Sequence, residues 1–137
     1  MNLKEILNTY KNVAVLGFSD RRDRASNRIG RYLKENDYNV TGVNPVPDKN
    51  SADNITIVKS LSELPENTEI INIFRRSEFL YDHINEILKM KTLPKVIWTQ
   101  LGVIDAKAKE LAEKNNIHYI ENKCIMVEHN KIFGNNL

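Results

Sequence analysis

The strongest constraint on this chain is one stretch, Val13-Ala14-Val15-Leu16-Gly17-Phe18-Ser19, followed by the arginine-rich turn Asp20-Arg21-Arg22-Asp23-Arg24-Ala25 and then Ser26. Val13 to Leu16 are all apolar, include two β-branched residues and end at a glycine, the pattern of a short strand buried on both faces in a parallel sheet. After Ser26 the spacing of Ile29, Tyr32 and Leu33 becomes helical, and Ser26 is the expected N-cap. A strand therefore feeds a helix through a basic loop. The first amides of a helix have no internal partner and sit at the positive end of its dipole, so an anion, above all a phosphate, is the natural ligand. Gly17 leaves room for a ligand beside the backbone, and Arg21, Arg22 and Arg24 add guanidinium groups.

The rest of the chain repeats the alternation. Leu3, Ile6 and Leu7 predict a short amphipathic helix over residues 2–10. The helix after the basic loop, from about Asn27 to Glu35, contains Gly30, whose helix penalty implies close packing against a neighbour. Tyr38 to Val43 is the second strand, stopped by Asn44-Pro45. Ile55 to Val58 is expected to be at most a minor strand, and Ser62 to Pro65 one helical turn. Glu69 to Phe74 is the third core strand and leads into Arg75-Arg76 and Ser77, a candidate cap for the helix carrying Phe79, Leu80, Ile84, Ile87 and Leu88. Lys95 to Trp98 is the fourth strand, Asp105 caps the next helix, Ile117 to Ile120 is the fifth strand, and residues 122–137 form an irregular or partly helical tail.

Strands alternating with helices in this way predict a doubly wound, Rossmann-like α/β domain over residues 1–137, with a five-stranded parallel sheet and helices on both faces. Ligands of such sheets lie at the carboxyl ends of the strands, near the switch in strand order. Gly17, Phe18, Ser19, Asn44, Pro45, Phe74, Arg75, Arg76, Gln100 and Gly102 all fall on that rim, with Arg22, Arg24 and Ser26 beside it.

Composition narrows the partners. A net charge of +2 is too balanced for a duplex-binding protein, and only Phe74-Arg75-Arg76 interleaves an aromatic with basic residues, so no nucleic-acid partner is expected. No apolar run is long enough to span a membrane, and the one cysteine, Cys124, excludes an internal disulfide and fits a reducing, cytoplasmic setting. His83, His118 and His129 lie in separate elements without ligand spacing, so no metal site is expected.

The same residues resemble the small stand-alone CoA-binding proteins, whose domain is similar to the amino-terminal domain of succinyl-CoA synthetase alpha subunits. The resemblance rests on Gly17-Phe18-Ser19 with Arg24 and Ser26, Tyr32-Leu33, Tyr38 with Val43-Asn44-Pro45, Phe74-Arg75-Arg76, Trp98 through Val103, and Cys124 with Glu128-His129. It implies coenzyme A or an acyl-CoA held by its nucleotide half across the rim, with no established reaction. Asp37 stands where the family usually has glycine, Lys123 where arginine is common, and Ile125 where proline is common.

The residues also speak against NAD. The spaced G-x-G-x-x-G is absent, and the second strand ends in Asn44-Pro45 rather than in the carboxylate that would bind a ribose. A phosphorylated ribose, as in CoA or NADP, is favoured, and an NADP-dependent oxidoreductase or another nucleotide-binding enzyme is the alternative. Cys124 with Glu128 and His129 invites a thiol-catalysis reading. No third orienting group is visible, and a lone cysteine commonly serves as a small buried hydrophobe.

Overall fold

The computed structural model describes residues 1–134. Its strands are β1 (Asn12–Leu16), β2 (Asn39–Val43), β3 (Ser51–Ala52), β4 (Ile55–Val58), β5 (Ile70–Ile73), β6 (Val96–Thr99) and β7 (His118–Ile120). The helices are α1 (Leu3–Thr9), α2 (Ala25–Glu35), α3 (Leu80–Leu88), α4 (Ala106–Lys114) and α5 (Ile125–Phe133). The sheet has seven strands in the order β3-β4-β2-β1-β5-β6-β7, not five. All pairings are parallel except the short β3–β4 hairpin. The α/β alternation is thus as expected, with an antiparallel edge added. Ser51 and Ala52 carry no apolar pattern, and Asp53 and Asn54 turn the hairpin at φ 53° and 62°.

The central strands β1, β5 and β6 send residues into two cores, so burial on both faces accounts for their nearly continuous apolar runs. Ala14, Leu16, Ile71, Ile73 and Ile97 face α3 and α4. Val13, Ile70, Val96 and Trp98 face α1, α2 and α5. Trp98 is fully buried, as befits a core residue, and its Nε1–H donates to the Lys123 carbonyl at 2.9 Å. Burial raises Tyr38 to about 12, and its hydroxyl donates to the Leu7 carbonyl at 2.5 Å, fastening α1 to the sheet.

Two expected caps are corrected. Helix α2 starts two residues earlier, with Arg24 at the N-cap, and the Ser26 hydroxyl instead accepts the Ser19 N–H at 2.9 Å. Ser77 opens a 3-10 turn at Ser77–Phe79, and its hydroxyl accepts from Ile104 N–H at 2.9 Å and meets the Gly102 carbonyl at 3.1 Å. In both places a partner outside the helix takes the hydroxyl that a capping motif would have used. Asp105 does cap α4, accepting from Ala108 N–H at 2.9 Å. Asp37 takes the left-handed turn after α2 at φ 71°, a conformation that favours glycine. The expected tail contains α5; its last three positions, 135–137, lie outside the described residues.

Candidate functional site

The chain builds β2 and β4 on one side of β1, then returns to build β5, β6 and β7 on the other. The switch in strand order therefore lies between the carboxyl ends of β1 and β5, where Leu16 pairs with Ile73. The next residues, Gly17 and Phe74, face each other across it. Gly17 sits at φ 92°, and a Cβ there would run into the Phe74 carbonyl oxygen.

A cleft of about 520 Å³ opens beside this point. Gly17, Ser19, Arg21, Arg24 and Ser26 from the β1–α2 loop line one side, and Asn44, Phe74 and Arg75 line the other. The helical bonding of α2 begins with Arg28 N–H donating to the Arg24 carbonyl, so the amides of Ala25 and Ser26, both at the cleft, precede the ladder. A chamber of about 500 Å³ lies on the α3 side of the sheet. Leu16, Val43, Pro45, Leu61 and Phe79 form its apolar wall, and Asp82, His83 and Glu86 project from α3. Arg75 lines both spaces, and also a shallow shelf shared with Phe74, Arg76, Gln100 and Leu101.

The structure sorts the rim residues read from sequence. Gly17, Ser19, Arg24, Ser26, Asn44, Phe74 and Arg75 come together at the cleft, while Pro45 moves to the chamber and Gln100 and Arg76 to the shelf. Asn44 also braces the loop, since its Nδ2 donates to the Phe18 carbonyl at 2.9 Å and its Oδ1 accepts Val46 N–H at 3.1 Å.

Three positions are corrected. Phe18 is fully buried, wedged between α2 and β2 where Gly30 and Gly42 make room: a Cβ would approach its ring to 2.8 Å from Gly30 and 2.5 Å from Gly42. Its side chain belongs to the core. Arg22 pairs with Asp53 at the hairpin turn, away from the cleft, and Arg21 takes the lining place. Gly102 is exposed at φ 82° and spends its amide on Asn122 Oδ1 at 2.8 Å, which makes it a turn residue.

The thiol reading finds no support. Cys124 is buried in the core beneath α1 and α5, and His129 Nδ1 lies 2.8 Å from the Tyr32 hydroxyl. Burial, with Lys11 nearby, holds the His129 pKa below its ordinary value. Among the described residues no three His, Cys, Asp or Glu side chains group closely enough to hold a metal ion. Nor is any described helix long and apolar enough to cross a membrane.

A cleft at the switch point is shared by many doubly wound proteins, and comparison with known sequences separates them. Residues 11–130 match the family model described as CoA binding domain. The chain belongs to this CoA-binding domain family. A Bacillus subtilis (strain 168) member, the uncharacterized protein YneT, is 35% identical over 127 residues, which cover 93% of this chain and 91% of that protein. The structure of cell-free ID.343 from Thermus thermophilus is 32% identical, with a TM-score of 0.88 over 97% of this chain and all of the other. A hypothetical protein from Pyrococcus horikoshii OT3 is 26% identical, with a TM-score of 0.86 over 96% of this chain and 90% of its own. The β1–α2 loop lines the cleft at the amino terminus of α2.

The Ser26 hydroxyl closes that loop onto its own helix. Ser26→Ala would leave the Ser19 N–H without an acceptor, at a cost of about 1 to 3 kcal/mol. The expected result is a lower melting temperature together with weaker CoA binding. A variant that melts and binds like the parent would show that this bond does not set the loop.

Proposed function

We propose that the protein binds coenzyme A or an acyl-CoA, holding the pyrophosphate in the cleft against the β1–α2 loop and the start of α2. The observation that carries this reading is the convergence of the α2 amino-terminal amides, Arg21 and Arg24 on one cleft at the strand-order switch. Family membership selects CoA among the nucleotides that such a cleft suits. The cleft and chamber meet at Arg75, which accommodates the two separate phosphates of CoA: the pyrophosphate at the loop and the ribose 3′-phosphate beside the guanidinium. The chamber then receives the adenine. Its apolar wall suits the ring faces, and Asp82 and Glu86 supply acceptors for the exocyclic amine.

A binding role without chemistry fits this arrangement, because Cys124 is buried and His129 is engaged with Tyr32. NAD lacks the phosphate that Arg75 would read, and the end of β2 offers Asn44, not a carboxylate, to its ribose. Calorimetric titration, with thermal shift as a second readout, should give tighter binding and greater stabilisation for CoA than for NAD, NADP or ATP. NAD binding as tight as CoA would refute the reading, and a preference for NADP would favour the oxidoreductase alternative.

A further inference from the structure

The β3–β4 hairpin lies outside the cleft, yet its turn is tied to the phosphate loop. Asp53 Oδ2 accepts from Asn27 Nδ2 at 3.1 Å, and Asp53 Oδ1 accepts from Arg22. The same Asn27 nitrogen donates to the Ser19 carbonyl at 2.9 Å. Asn27 Oδ1 is in turn held by Arg31 Nε at 2.8 Å, and Arg31 Nη2 returns to the Arg22 carbonyl at 3.1 Å. Two points of the basic turn, Ser19 and Arg22, are thus fastened through a fully buried asparagine to one carboxylate on the sheet edge. The hydrogen bond from Asn27, reinforced by Arg22, holds the Asp53 carboxyl below its usual range, so the tie is charged at neutral pH.

Backbone amides bind an anion well only when they are already aimed at it, because ordering a loop on binding costs affinity. We propose that Asp53 is a positioning residue for the anion site: it touches no phosphate and acts by holding the Ser19-to-Arg24 turn, through Asn27 and Arg22, in its binding conformation. Arg22 is then a strut, while Arg24 and Arg21, the latter paired with Asp23, line the cleft. The inference rests on the cleft being a phosphate site.

Asp53→Asn tests it, because asparagine tolerates the positive φ of the turn while losing the charge. In the ligand-free variant, hydrogen exchange at the amides of Arg21 to Arg24 should quicken about tenfold, with β1 and β5 unchanged. Affinity for CoA and for dephospho-CoA should fall by one common factor, about tenfold, with little change in melting temperature. Unchanged exchange would overturn the proposal. So would faster exchange with unchanged or tighter binding, or a loss confined to CoA. If the parent protein binds neither ligand, the CoA reading fails, and the exchange measurement still decides whether Asp53 holds the loop.

Discussion

Arg75→Ala should weaken CoA binding about ten- to a hundredfold while weakening dephospho-CoA much less, because one charge-assisted bond to a phosphate is worth roughly 1.5 to 3 kcal/mol. Arg75 lines the cleft, the chamber and the shelf, and among the described residues it forms no ion pair. Arg76 differs. Its side chain is 80% exposed and lies 3.2 Å from Glu78, so Arg76→Ala alone should change little. Arg24→Ala supplies the contrast: a group at the loop serves the pyrophosphate common to both ligands, and its loss should lower both affinities alike. Titration of each variant with each ligand checks the assignment. An Arg75→Ala variant that loses the same factor for CoA and dephospho-CoA would show that Arg75 does not read the 3′-phosphate.

Gly17→Ala should cause the largest loss of stability of any single methyl group added at the rim. The backbone at φ 92° is strained for a residue with a Cβ, and that Cβ would collide with the Phe74 carbonyl, which cannot move without disturbing β5. Conformational strain of about 1 to 3 kcal/mol adds to an overpacking cost of similar size. A melting temperature lower by about 10 °C or more is expected, measured by calorimetry. CoA binding should fall as well, since relief of the clash would pull the loop from the strand ends. A variant that melts within about 2 °C of the parent would mean that β1 and β5 separate easily at their carboxyl ends.

The fold was legible because its core strands are buried on both faces, so Val13 to Leu16 and Ile70 to Ile73 stand out as apolar runs between helical patterns. Hairpin strand β3 was not, since Ser51 and Ala52 sit on the edge and owe their pairing to the turn at Asp53-Asn54. Four arginines in and after the basic loop, Arg21, Arg22, Arg24 and Arg28, look alike in sequence. What separates Arg22 from Arg21 is Asp53, a carboxylate far along the chain that the fold brings alongside. Phe18 looked like a rim residue because it follows Gly17. A signal for its burial was present in Gly30 and Gly42, small residues on the helix and strand that flank it, but the pairing shows only in three dimensions. Ser26 and Ser77 likewise had the right chemistry in the right places, and the amides of Ser19, in the preceding loop, and of the distant Ile104 captured their hydroxyls.

On the proposed reading CoA lies across the carboxyl ends of β1 and β5 with its pyrophosphate at the amino terminus of α2. Backbone amide NMR shifts recorded during a CoA titration test it most directly. Saturable shifts are expected at Gly17, Ser19 to Ser26 and Phe74 to Arg75, with a second group at the chamber residues Leu61, Phe79 and His83, while the opposite ends of the strands, at Asn12, Ile70 and Val96, stay still. Shifts centred on those opposite ends, or none at saturating CoA, would contradict it.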